Sequence, residues 1–233
     1  MFAKSGIPCM KYTGQKGGHV WDKKGLRVNA QKLIAKNIRL KKPPLEGLEQ
    51  YRAFFDMEYT TDTDCIENFK EYEILYKHYP DAKFLLNIRN KFDWLRSRAS
   101  HGNGSYLLRA AQRMERPGFE VLNIWMHEFD RHVEAAKAFF ADKKDNFCVY
   151  DIDKDPVEKV MKFAERDVFR LQRRYYHTLN VSRPVTGKLN EALFNKMFEV
   201  PEPAKKKPVA KPKAEAKQGE NLIELSTARA ARN

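Results

Sequence analysis

The sequence predicts an α/β fold, a parallel sheet flanked by helices, occupying residues 1–199 and followed by a disordered tail over 200–233. Three observations carry this. Short apolar runs recur at 51–57, 83–88 and 146–152. Stretches with apolar residues at helical spacing lie between and after them. Strands separated by helices pair in parallel, because each connection is long enough to cross over rather than turn back.

In chain order, "YRAFFDM" (51–57) reads as a short strand. "CIENFKEYEILYKHY" (65–79) places Phe69, Tyr72, Leu75, Tyr76 and Tyr79 on one helical face. "KFLLNI" (83–88) reads as a buried strand, and "NKFDWLRSRASH" (90–101) opens a helix. A long amphipathic helix follows at 121–143. "NFCVYDI" (146–152) is a third strand, and 155–167 a helix with Pro156 in its first turn. The tail is rich in Pro, Ala and Lys, holds no aromatic residue, and carries eight Lys and Arg against four Glu. Such a segment cannot bury enough apolar surface to fold.

The chain has 233 residues, of which 42% are hydrophobic and 12% aromatic, so it can bury a core of useful size. Its net charge of +13 favours anionic partners such as phosphates, sulfates, nucleic acid or an anionic membrane surface. No stretch reaches the length of a membrane span, and "MFAKSGIPCM" lacks the apolar core of a signal peptide. Cys9, Cys65 and Cys148 have no paired spacing, which points to a reducing, cytoplasmic setting without a disulfide framework or a zinc site.

In open α/β sheets ligands sit at the carboxyl ends of strands. Asp56, Arg89 and Asp151 fall at such ends. Arg89 lies between a strand and a helix start, where free N–H groups attract an anion and a guanidinium adds charge-assisted hydrogen bonds. Ser97 lies about two turns into that helix. The plain alternative is that Arg89 pairs with Asp93 and Ser97 faces solvent. "FAKSG" (2–6) offers Lys4, Ser5 and Gly6 as the end of a phosphate-cradling loop, although it is not a Walker motif. "GQKGGH" (14–19) reads as a surface turn. His127 and His132 are five apart, outside the spacing of three or four that a metal pair on one helix face needs; no metal site is expected. Asp56 and Glu58 at a strand tip suit a general base, or a cap for the next element. "QRRYYH" (172–177) mixes Arg with Tyr, as nucleic-acid stacking surfaces do and as basic helices with an aromatic stripe do more often.

Residues 79–101, "YPDAKFLLNIRNKFDWLRSRASH", resemble the 3′-phosphate-binding segment of sulfotransferases that use 3′-phosphoadenosine-5′-phosphosulfate (PAPS). Tyr79, Pro80, Ala82, Lys83, Arg89, Asn90, Asp93 and Ser97 carry the resemblance, and His101 also fits. Residues 53–59 look like the segment after the family's second core strand, and 125–164 resemble the helix, strand and helix of bacterial and related members. The resemblance implies a P-loop-like fold in which Arg89 and Ser97 grip the 3′-phosphate. Lys4, Ser5 and Gly6 match part of the family's 5′-phosphosulfate loop, Pro-Lys-[Ser/Thr]-Gly-[Thr/Ser]-[Thr/Ser]. There Lys4 would neutralise charge on the bridging oxygen, and main-chain N–H groups around Ser5 and Gly6 would hold the 5′-phosphate. Ile7 and Pro8 replace the two hydroxyl residues that follow. By position in the family, the resemblance implies Asp56 or Glu58 as the base.

The expected activity is sulfuryl transfer from PAPS to a hydroxyl or amine acceptor, which the sequence does not specify further. Two other readings stand beside it. One is a non-catalytic protein of the same fold, with PAP (3′-phosphoadenosine-5′-phosphate) as ligand and a degraded donor loop. The other is a basic nucleic-acid binder.

Overall fold

The computed structural model describes residues 1–10, 19–165 and 170–176. The lysine-rich tail, most of "GQKGGH" and His177 lie outside the described residues. The architecture is mixed α/β, with two parallel strand pairs.

Residues Ala3–Ser5 form a 3-10 turn that ends at Gly6, whose φ of 82° is left-handed. Next comes β1 (Cys9–Met10), then a hairpin of β2 (His19–Trp21) and β3 (Arg27–Asn29). Asn29 caps α1 (Ala30–Arg39) by accepting a hydrogen bond from the Lys32 N–H. β4 (Ala53–Phe54) pairs in parallel with β1, in the register Cys9 to Ala53 and Met10 to Phe54. Met10, Ala30, Ile34 and Leu48 form the buried centre of this half. Two amides pin it. Asn37 donates to the carbonyls of Pro44 and Glu46 at 3.1 and 3.0 Å, and Asn68 donates to both oxygens of Gln31.

A second hairpin follows, β5 (Glu58–Thr60) with β6 (Cys65–Glu67), then a 3-10 turn (Asn68–Lys70) and α2 (Tyr72–His78). The expected helix over 65–79 therefore begins late. Cys65–Glu67 pairs back onto Glu58–Thr60 in an antiparallel hairpin, and this pairing overrides the helical spacing. The expected strand over 51–57 shortens to β4 because Asp56, at φ 50°, kinks the chain before β5.

β7 (Phe84–Ile88) and β8 (Phe147–Asp151) form the longest strand pair, parallel and in register from Phe84–Phe147 to Ile88–Asp151. β7 alternates half-buried with exposed residues instead of being wholly buried, because among the described strands only β8 pairs with it. The described strands thus form four two-stranded sheets, two of them parallel, and not one continuous sheet. Between β7 and β8 run α3 (Lys91–Ser100), α4 (Ser105–Met114) and α5 (Gly118–Phe139); α6 (Val157–Ala164) follows β8. The turn from α3 to α4 favours glycine: Gly102 has φ 60°, and a Cβ there would stand 2.7 Å from the Ser105 hydroxyl, which would have to turn away. Val121 and Trp125 of α5 pack on Leu107, Ala110 and Ala111 of α4. At its far end, Phe140 stacks on Phe147 with ring centres 4.7 Å apart and lies 4.9 Å from Phe84. No helix among the described residues is long and apolar enough to cross a membrane.

His132 of α5 is a packing residue, edge-on to Phe69 at 5.2 Å and beside Tyr72 at 5.8 Å. Burial, and then the nearby Lys70 charge, push its pKa below the ordinary 6.5. The unfolded chain therefore binds this proton more readily than the folded one. Its stabilising effect is complete above pH 6.5 and is lost as pH falls through the lower folded value. His132→Phe is expected to lose less melting temperature than the wild type between pH 7.5 and 5.5. Equal losses would place the acid sensitivity elsewhere.

Candidate anion site and the α3 junction

Arg89 follows the last residue of β7 and stands at the carboxyl end of a parallel pair, where the sequence placed it. Its side chain is half-buried, and its Nε is fully buried without a hydrogen-bond partner. The proposed pairing with Asp93 does not form, because Asp93 faces Arg96 at 3.7 Å. Among the described residues no acid pairs with Arg89. The Nε atoms of Arg98 and Arg109 also lack hydrogen bonds, but both those guanidinium groups face carboxylates. A buried donor without an acceptor is costly unless a ligand supplies one.

The start of α3 is less open than the sequence suggests. Asn90 accepts from the N–H groups of Phe92 and Asp93 at 3.0 and 3.2 Å. Its own N–H donates to the Asp153 carboxylate at 3.0 Å. Asp153 arrives from the loop after β8, which the register places at the same end as Arg89. This carboxylate already holds a position where an anion at a helix start is favoured. Sequence reasoning missed it, since the two residues are 63 apart and no local pattern links them. Ser97 is half-buried in α3; its carbonyl accepts from the Ser100 hydroxyl at 3.3 Å, and its own hydroxyl makes no hydrogen bond to a described residue.

Asp56 and Glu58 differ sharply. Asp56 is exposed at the kink after β4, and its carbonyl accepts from the Gln31 amide at 3.4 Å. Glu58 is half-buried and saturated. Arg98 donates to both its oxygens at 3.3 Å, and the Tyr106 hydroxyl and the Thr60 hydroxyl donate to one of them. Burial pushes the Tyr106 hydroxyl well above the ordinary phenol range, so it stays a donor.

Lys4 is exposed on the 3-10 turn. The main-chain donors expected to cradle a phosphate are engaged within the turn. Ser5 N–H bonds to the Met1 and Phe2 carbonyls, Gly6 N–H to Ala3, and Ile7 N–H to Phe2. The Ser5 hydroxyl accepts from Gln172 N–H at 3.1 Å. The turn leads into β1 instead of following a described strand. In the "QRRYYH" stretch, Arg173 is held by Glu158 and Arg174 lies 4.9 Å from the Tyr175 ring, so neither is spread out as a stacking surface.

In α/β domains ligands sit at the carboxyl ends of parallel strands, and there Arg89 presents a guanidinium without a described acceptor. The sulfotransferase domain family matches residues 16–175, more than half of the chain, and the chain belongs to that family. No curated protein and no solved structure matches it. The matched stretch includes Asp56, Glu58, Arg89 and Ser97, and it begins after Lys4, Ser5 and Gly6.

Proposed function

We propose that the protein transfers a sulfuryl group from PAPS to a hydroxyl or amine acceptor. The observation that carries this is Arg89, whose buried Nε has no acceptor among the described residues, at the carboxyl end of β7 within the family match. Arg89 and the Ser97 hydroxyl hold the 3′-phosphate. Lys4 faces the 5′-phosphosulfate, and Ser5 and Gly6 contribute N–H groups once the turn opens. Asp56 takes the proton of the acceptor as it attacks the sulfur in line with the leaving oxygen. We assign that role to Asp56 because it is exposed to an incoming acceptor, whereas Glu58 is half-buried. Positioning and charge stabilisation supply most of the rate in transfer of this kind. As in the family's P-loop-like fold, residues 1–199 would form one domain with the tail as an appendage.

Calorimetry with PAP and with adenosine 5′-phosphosulfate tests the donor assignment, since only PAP carries the 3′-phosphate. Tighter binding of PAP supports it, and no binding of PAP sinks it. The engaged N–H groups of the turn favour a second reading, a PAP-binding protein that does not transfer; binding without turnover over a panel of phenol, alcohol and amine acceptors would select it.

Asp153 provides a further check. Its negative charge competes with a phosphate at the start of α3. Asp153→Asn keeps an acceptor for the Asn90 N–H and removes the charge. PAP affinity is expected to rise about two- to fivefold, the ~0.3–1 kcal/mol typical of a charge at a helix end. Unchanged affinity would mean that the phosphate never approaches this helix start.

A further inference from the structure

Arg98 directly follows Ser97, yet its side chain runs the other way round the helix, since successive residues are about 100° apart. It enters a cage of rings. The guanidinium carbon lies 4.8 Å from the ring centre of Tyr106, 5.0 Å from Trp125 and 5.5 Å from Trp94. Two carboxylates close the cage from the β5–β6 hairpin, Glu58 on both guanidinium ends at 3.3 Å and Glu67 at 3.5 Å. Lys70 in turn ties Glu67 at 2.6 Å to Glu128 of α5 at 3.6 Å. The hairpin that begins two residues after Asp56 is thus fastened to the helix residue next to Ser97.

Such an arrangement is poorly explained as a source of stability. Buried ion pairs are often matched or surpassed by apolar residues of similar volume, and the Arg98 Nε is left without an acceptor. Its distinctive product is geometric. A planar fork between two carboxylates, with its faces against rings, permits little rotation or sliding of α3. We propose that Arg98 is a positioning residue that fixes the orientation of Ser97 toward the 3′-phosphate, with Glu58 and Glu67 as its anchors. This rests on the assignment of the 3′-phosphate to Arg89 and Ser97.

The test measures PAP and adenosine 5′-phosphosulfate affinities for the wild type, Arg98→Met, and Arg98→Met combined with Glu58→Gln and Glu67→Gln. The combined variant removes the charges that would otherwise lose their partner. Circular dichroism verifies folding. The expected result is a roughly tenfold loss of PAP affinity, the scale of one charged hydrogen bond, with adenosine 5′-phosphosulfate affinity unchanged. Equal loss for both ligands, or no loss for either, overturns the positioning role. If neither methionine variant folds, Arg98→Lys decides by the same criterion, because lysine keeps the charge and lacks the planar fork. A wild type that binds PAP no better than adenosine 5′-phosphosulfate overturns the 3′-phosphate assignment itself. A selective wild type with equally selective Arg98 variants overturns only the inference about Arg98.

Discussion

Arg89→Ala is expected to weaken PAP binding by roughly ten- to a hundredfold, the ~1.5–3 kcal/mol of a hydrogen bond to a charged group. Adenosine 5′-phosphosulfate, without the 3′-phosphate, should be nearly unaffected. The size of the effect follows from where Arg89 sits. No described acid competes for its guanidinium, and its Nε is already dehydrated. A phosphate that reaches it displaces little water from that atom and breaks no ion pair. Stability should change little or improve, because alanine removes a buried donor without an acceptor. Equal weakening of both ligands, together with a lower melting temperature, would show that Arg89 supports the fold and not the phosphate.

The position of Arg89 is legible in the sequence for a local reason. The strand over 84–88, the cap at Asn90 and the helix from Lys91 are consecutive signals, so the junction that places Arg89 is written locally. What escaped local reading had mixed causes, a competing hairpin, a diluted apolar stripe and a distant ion pair. The helical spacing of Phe69, Tyr72 and Tyr76 says nothing of the hairpin that claims Cys65–Glu67. α1 begins with an asparagine cap and presents Leu33, Ile34 and Ile38 to the core, so its signal was present but lay among lysines that dilute the apolar stripe. Glu58 and Asp56 look alike in sequence. They separate only when Arg98, 40 residues on from Glu58, folds back to take one of them. The proposed base is therefore chosen by a difference in exposure that no short segment shows.

Lys4→Ala carries the largest expected effect. Transfer should fall by about a hundred- to a thousandfold, as when one donor to a developing negative charge is removed. Affinity for PAP should change little. Lysine presents a compact charge, suited to the bridging oxygen as its bond to sulfur breaks. PAP has no sulfuryl group, so its complex omits most of that contact, and a group that acts mainly in the transition state lowers turnover before affinity. The exposed position of Lys4 on a three-residue turn leaves its side chain room to move toward a donor. The turn's own N–H groups are bound to Met1, Phe2 and Ala3, so a donor phosphate must either open the turn or rely on the lysine. Pro8 has no N–H to add. This makes the variant decisive in both directions. Transfer by the wild type that vanishes in Lys4→Ala places the lysine at the reacting oxygen. Transfer that persists at the wild-type rate removes Lys4 from the chemistry. Tight PAP binding with no transfer by either protein means that the closed turn holds back the donor loop, and the chain then binds PAP through Arg89 without acting on PAPS.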